Sequence, residues 1–235
     1  MKGVILDKNA PKQLYQFFCS RKYRIVESCL IPQLYPAVST HPDMQICQID
    51  SKTFLSAPEC HDYYRTALPR CRIIKGERPI GDTYPDDAAY NVAVCDKFAF
   101  HYPKCTDGVA RQYFHGNNIQ FVSVKQGYSK CNICFLTKNA LITSDPSIHN
   151  AAAKLGFDVL KLRNTSSIQL SGFDYGFIGG ACGRIGICEL VICGDLRRHP
   201  EFEAINRFCT GYGISPVSAY SGPIKDIGSI LEFED

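Results

Sequence analysis

A chain of 235 residues with 45% hydrophobic content is long enough to bury a real core as a single domain spanning 1–235. Its net charge of +3 is small, and its Lys and Arg residues are dispersed, which argues against nucleic acid as a partner. No apolar stretch approaches the roughly 20 residues of a membrane span. The four-residue apolar run before Asp7 and Lys8 falls short of the about 7–15 residues of a secretory core segment.

The elements fall into a recurring order along the chain. The first strand, in "GVILDKNAP", ends at Pro11, is followed by the amphipathic "PKQLYQFFCSR" and then by the strand "YRIVES". A new strand, "MQICQID", precedes "TFLSAP", which ends at Pro58 and leads into "PECHDYYRTAL" and "RCRIIKG". "YNVAVCD", "FAFHYP" with Pro103, "PKCTDGVARQYF" and "IQFVSV" repeat the pattern. So do "CNICFLT", "ALITSDP" with Pro146, "PSIHNAAAKLG" and "DVLKLR". The last set is "ACGRIGIC", "ELVICGDLRRHP" with Pro200, "PEFEAINRFCTGYG" and "ISPVSA".

The proline intervals are 47, 45, 43 and 54 residues. Each proline is expected at the first helical position, where its missing N–H costs nothing. Gly156 and Gly213 stand where helix C-caps are expected. The unit is therefore strand–strand–helix–strand, five times over, with the leading strand missing from the first. The terminal strand "IGSILEF" is spare, and pairing beside the amino terminus would fill that vacancy and remove an open edge.

This arrangement resembles the pentein superfamily. That group includes arginine and agmatine deiminases, dimethylarginine dimethylaminohydrolases and amidinotransferases, and also the non-enzymatic ribosome anti-association factor 6. The segments "HPDMQ", "GFIGGA" and "DIGSI" also resemble an uncharacterised bacterial family, often clostridial. The resemblance implies an α/β fold: a pentein-like five-bladed ββαβ propeller with pseudo-fivefold symmetry, closed by its C-terminal strand on the N-terminal unit. It implies a small polar ligand, guanidino- or amino-acid-like, in a central channel met by the starts of the leading strands. Carried onto this chain, those positions are His41, Asp43, Gln45, Asn91, Asn132, Cys182, Arg184, Asp226 and Ser229. No cofactor is implied, and the location expected is cytoplasmic.

"HPDMQICQID" resembles the segment by which these enzymes hold a guanidinium, whose paired N–H donors want carboxylate or amide oxygens in their plane. Strand alternation would put Asp43 and Gln45 on one face. Two places depart from the family. Where the enzymes keep a catalytic His, this chain has Gly180 and Cys182; where they keep the nucleophilic Cys, it has Gly228-Ser229. A substitute set would be Cys182 as nucleophile with His41 and Asp43 or Asp226, Arg184 sharing the face of Cys182. Two function classes follow: a hydrolase of amidine C–N bonds, or a non-catalytic binding scaffold like the ribosome factor.

Thirteen cysteines, an odd number lying in apolar stretches, read as buried thiols, with no disulfides expected. "CNIC" has zinc-like spacing, but strand alternation would put Cys131 and Cys134 on opposite faces, so no metal is expected. Gly176, Gly179, Gly180, Gly183 and Gly186 read as places of close backbone approach. His61, His101, His115, His149 and His199 read as outer-face or helix-terminal. "PQLYPAVSTHPD" and "RPIGDTYPDDAAY" are candidate lids, and Phe173, Tyr175 and Phe177 candidate channel aromatics.

Overall fold

Five three-stranded sheets succeed one another in the computed structural model, which describes residues 2–234. In chain order the elements begin with β1 (Lys2–Leu6), α1 (Lys12–Ser20) and β2 (Arg24–Glu27). Then come α2 (Pro42–Gln45), β3 (Ile46–Gln48), β4 (Thr53–Ser56), α3 (His61–Ala67) and β5 (Arg72–Lys75). The third set is β6 (Ala93–Cys95), β7 (Phe98–His101), α4 (Gly108–Gly116) and β8 (Gln120–Ser123). The fourth is α5 (Ser129–Asn132), β9 (Cys134–Thr137), β10 (Ala140–Thr143), α6 (Pro146–Lys154) and β11 (Asp158–Lys161), followed by β12 (Ile168–Gln169). The chain finishes with β13 (Cys182–Ile185), β14 (Glu189–Ile192), α7 (Phe202–Gly211), β15 (Ser215–Ser218), β16 (Ile224–Lys225) and β17 (Leu231–Glu234).

Every three-stranded sheet has the same wiring. A central strand, β4, β7, β10 or β14, runs antiparallel to the strand before it and parallel to the strand after the helix. In the first sheet that centre is β1, parallel to β2 and antiparallel to the terminal β17, with Lys2 opposite Glu234 and Ile5 opposite Leu231. The central strands are continuous apolar runs because both their faces are covered. The trailing edges β2, β5, β11 and β15 are half exposed, and β2 and β5 carry Arg24, Arg72 and Lys75, which discourage further pairing.

The helices supply the outer layer by one device. Four of them bury a pair spaced i, i+4: Leu14 and Phe18, Ala110 and Phe114, Ile148 and Ala152, Ile205 and Cys209. That spacing puts two side chains on one helical stripe. In α3, Tyr64 and the following Leu68 do the same. Burying a side chain of this size contributes about 1.5–3 kcal/mol, so the repeated pair outweighs the weak propensity of seven- to ten-residue helices. Gly156 and Gly213, at φ +82° and +69°, close α6 and α7 as expected. In each case the next residue's N–H reaches back to the carbonyl at the start of the last turn, Phe157 to Ala152 and Ile214 to Cys209.

Several sequence expectations need correction. Pro103 and Pro200 do not open their helices, Pro11 stands one residue before the first residue of α1, and Pro58 opens a short 3-10 turn ahead of α3. The Asp107 carboxylate accepts the Ala110 N–H at 2.9 Å and so fixes Gly108 as the first residue of α4; after Pro200 the helix begins at Phe202. The leading strands β3 and β9 are shorter than predicted, each preceded by one helical turn. At α5 the Asn91 carboxamide oxygen takes the N–H groups of Lys130 and Cys131, which removes them from any ladder. At α2 the Asp43 N–H goes to the Gly228 carbonyl. Asp43 and Gln45 therefore do not alternate on a strand, and neither do Cys131 and Cys134. A parallel pair of β12 with β16 was not foreseen.

Leading strands lie against one another across sheet boundaries: β3 against β6, β9 against β13, and β13 against β17. Gln48 Nε2 donates to the Glu232 carbonyl, linking β3 to β17, and Cys95 Sγ lies 3.6 Å from the Thr137 carbonyl, linking β6 to β9. The close approach is visible at Gly183, where a side chain would overlap the Ile230 carbonyl of the neighbouring segment. Gly186 differs: it sits at φ +59° in the open turn between β13 and β14.

His101 is not an outer-face residue. It is fully buried at the end of β7, with Nδ1 2.8 Å from Thr106 Oγ1 and Nε2 2.7 Å from the Gly127 carbonyl. Burial pushes its pKa down to about 4. The unfolded chain therefore takes up this proton near pH 6.5 and the folded chain only near 4, so stability falls as pH drops through that window. About 3 kcal/mol is at stake by this group alone. Urea melts at pH 7 and pH 4.5 should show a larger acid loss for the native chain than for His101→Gln; equal losses would refute the assignment.

Candidate functional site

The polar centre is assembled from segments far apart in sequence. The loop before α2 brings His41, the α2 turn brings Asp43, the α5 turn brings Lys130 and Cys131, and the segment before β17 brings Asp226 and Ser229. His41 is buried with its ring between two carboxylates, Nε2 3.6 Å from Asp7 Oδ2 and Nδ1 3.8 Å from Asp226 Oδ1. Gly228, at φ +67°, packs against the Cα, Cβ and Cγ of His41, where any side chain would overlap them. Asp226 is oriented by the Phe177 N–H at 2.8 Å and the Gly228 N–H at 3.0 Å. Burial pushes its carboxyl pKa up, His41 works against that and Asp43 adds to it.

Behind it lies a second group. Asp43 Oδ2 accepts the Ser229 hydroxyl at 2.7 Å and the Cys131 thiol at 3.1 Å, while Asp43 Oδ1 is buried without a donor. Lys130 Nζ donates to Ser229 Oγ at 2.9 Å. The Ser229 hydroxyl, accepting from the ammonium, has one proton and two acceptors for it, Asp43 Oδ2 at 2.7 Å and the Gly179 carbonyl at 3.0 Å, so it bridges Lys130 to Asp43 by the shorter contact. Asn91 holds the Cys131 backbone through Oδ1 and reaches its sulfur through Nδ2 at 3.1 Å. Burial, then the Asp43 and Asp226 charges, push the Cys131 thiol well above its ordinary pKa, so it is protonated at neutral pH.

A cavity of about 310 Å³ opens over this floor. Cys131, His41 and Asp226 reach it from below, and Tyr35, Phe173 and Tyr175 are among the aromatic rings that wall it. Tyr35 and Phe173 meet edge to face at 6.2 Å, and Tyr175 and Phe177 at 5.9 Å. A polar cleft of about 690 Å³ continues from it, sharing His41 and Asp226 and reaching Asn9, Gln169 and Lys225. Aromatic faces above carboxylates make an environment for a cation. The 32–43 segment supplies part of this wall. The 78–90 segment does not line it; its buried Asp87 is tied to the Tyr128 hydroxyl at 2.6 Å.

The structure brings His41, Asp43, Asn91, Asp226 and Ser229 into this one network. It places four other expected residues elsewhere. Cys182 lines a different cavity, of about 390 Å³, with Cys134, Arg184 and Lys130. Arg184 donates to the Ile187 carbonyl. Gln45 clamps the Cys29 backbone and accepts the Tyr64 hydroxyl, and Asn132 donates to the Tyr128 carbonyl within its own turn. The sequence reading missed Cys131 as a floor residue, together with Lys130 and Asp7. Its one usable signal was position: "KCN" opens a leading strand in the fourth unit as "PDMQ" does in the second. Among the described residues no three His, Cys, Asp or Glu side chains gather to hold a metal, and no helix is long and apolar enough to cross a membrane.

The fold is similar to that of several solved structures. An adduct of a dimethylarginine dimethylaminohydrolase with S-methyl-L-thiocitrulline is 9% identical over 99% of either chain, with a TM-score of 0.58. The amidinotransferase SxtG of the saxitoxin pathway of Microseira wollei is 10% identical, over 92% of this chain and 87% of that one, with a TM-score of 0.56. Dimethylarginine dimethylaminohydrolase from Pseudomonas aeruginosa, complexed with citrulline, is 9% identical over 95% and 87%, with a TM-score of 0.53. No curated protein sequence matches this chain. The structural likeness is one of fold, that of the pentein superfamily. Residues 5–231 match a sequence family directly, and the chain belongs to that family of unknown function, DUF6873.

Proposed function

We propose that this protein seats a small planar cation, a guanidinium or amidinium group, on Asp226 beneath the aromatic wall and hydrolyses its C–N bond through Cys131. The observation that carries the reading is that an aromatic-walled cavity has a carboxylate and a thiol on the same floor. The dimethylarginine dimethylaminohydrolase and amidinotransferase neighbours support the ligand class. A cation seated there offsets the carboxylate charges that keep the thiol protonated. Cys131 Sγ then bonds to the amidinium carbon as its proton passes to Asp43 Oδ2, already its hydrogen-bond acceptor. The amine leaves with that proton; water then adds to the carbon, giving one proton to His41 and, as the S–C bond breaks, the other to the departing sulfur, which restores the thiol and yields a urea or amide.

Calorimetry with methylguanidinium and acetamidinium, against neutral urea and acetamide of similar shape, tests the binding step. The expected result is heat from the cations only; no binding of either cation overturns the reading. A non-catalytic binder is the second reading, favoured by the near-complete burial of a protonated Cys131, and it would show cation binding without amine release.

The five sheets, in this reading, close into one propeller, supported by the β17–β1 pairing and by leading strands that touch across each boundary. A circular permutant joining the ends through a short Gly linker, reopened between Lys138 and Asn139, should fold with a stability within about 2 kcal/mol of the native order. A permutant that stays unfolded would count against closure.

A further inference from the structure

We infer that Cys29 and Cys60 form a dithiol that hydroperoxides oxidise to a disulfide, a modification site separate from the cation pocket. The two cysteines come from different units, Cys29 just after β2 and Cys60 from the short helical turn before α3. Gln45 gathers them. Its Oε1 accepts the Cys29 N–H at 2.9 Å and lies 3.9 Å from Cys60 Sγ, while its Nε2 donates to the Cys29 carbonyl at 2.7 Å. The Cys29 backbone is thus held at both polar groups, and the carboxamide oxygen that takes its N–H also faces the Cys60 thiol, so both cysteines stand against one atom.

The partners differ in access. Cys60 is fully buried and Cys29 is half-buried, so peroxide meets Cys29 first. The neighbouring Cys60 thiol lowers the Cys29 thiol pKa more than partial burial raises it, and Lys8 helps. The same contact pushes Cys60 up, which keeps its proton in place until it is needed. An attacking thiolate with a neighbouring thiol in reserve is the arrangement that dithiol oxidation requires.

The chemistry closes without a metal or cofactor. Cys29 thiolate attacks one peroxide oxygen, the O–O bond breaks, and the departing hydroxide takes up a proton as water, leaving Cys29 as a sulfenic acid. Cys60 sulfur then attacks Cys29 sulfur, the S–O bond breaks, and the hydroxide leaves with the Cys60 proton as a second water. Two electrons pass from the thiol pair to the peroxide. The bond ties down the start of the segment that carries Tyr35 and His41.

The reduced full chain, treated with hydrogen peroxide and mapped by mass spectrometry without reduction, tests this. The expected first product is a Cys29–Cys60 disulfide, reversed by dithiothreitol, with Cys29 oxidised about tenfold faster than the exposed Cys19 and Cys188. Cys60→Ser should stop at a dimedone-trapped sulfenic acid on Cys29. Oxidation of Cys19 or Cys188 ahead of Cys29, or a first disulfide between the buried Cys134 and Cys182, overturns the proposal. The native chain alone decides the matter if the Cys60 variant fails to fold, and neither outcome depends on Cys131.

Discussion

Cys131→Ala should bind amidinium cations within about threefold of the native chain and lose at least about a thousandfold in amine release, the loss expected when a nucleophile is removed. The alanine keeps the Asp226 carboxylate and the aromatic wall, so the seat for the cation survives. What goes is the sulfur, and with it a hydrogen bond to Asp43 and an acceptor for Asn91. That costs some stability, about 1–3 kcal/mol for buried polar groups left short of a partner. Cys131→Ser separates the two effects, because a hydroxyl restores the hydrogen bonds without the thiol's nucleophilicity. 2-Chloroacetamidine, a cation that alkylates thiols, should label Cys131 in the native chain and be competed by methylguanidinium. Cys182→Ala is the control: if it abolishes turnover while Cys131→Ala does not, the nucleophile lies in the other cavity.

A second large effect is expected at Asp226. Asp226→Asn should weaken cation binding about a hundredfold, since removing one member of a buried charge pair costs about 2–5 kcal/mol. The pH dependence has a definite sign. Burial raises the Asp226 carboxyl pKa above the usual carboxylate range, and only the ionised form attracts a cation. Affinity should therefore fall as pH is lowered, and begin to fall at a higher pH than an exposed aspartate would show. Stability of the ligand-free chain moves the other way. A carboxyl whose folded pKa is raised contributes stability fully below its unfolded pKa of about 3.9 and loses it as pH rises through the folded value. Calorimetry from pH 7.5 to 5 on both chains checks this; a slope that survives in Asp226→Asn would place the titrating group elsewhere.

The repeat was legible because it rests on local rules. Continuous apolar runs made the central strands, i, i+4 pairs made the helices, and Gly156 and Gly213 ended two of them. The prolines were a weaker guide. Pro146 does open α6, but at Pro103 the Asp107 side chain, bonded also to the Glu77 and Arg78 N–H groups, set the helix start. Asp107, the N-cap directly before Gly108, was a local signal that the proline spacing overrode; only its bonds to Glu77 and Arg78 belong to the tertiary structure.

The site was legible only in part, and the reason is physical. His41, Asp43, Asp226 and Ser229 could be named from their places at the mouths of the units, because that position is a property of the repeat. Which cysteine joins them could not. Assuming strands to the ends of the leading segments put Cys182 on the axis and gave Cys131 to an alternating strand. The Asn91 carboxamide and the Gly228 carbonyl instead hold α5 and α2 as helical turns, and the turns direct Cys131 onto Asp43. Sequence by itself determined the apolar periodicity, hence the repeated unit and its spare terminal strand. The tertiary structure alone decided which polar groups meet, because hydrogen bonds such as Ser229 to Asp43 join residues nearly two hundred positions apart and depend on angles that no local pattern encodes.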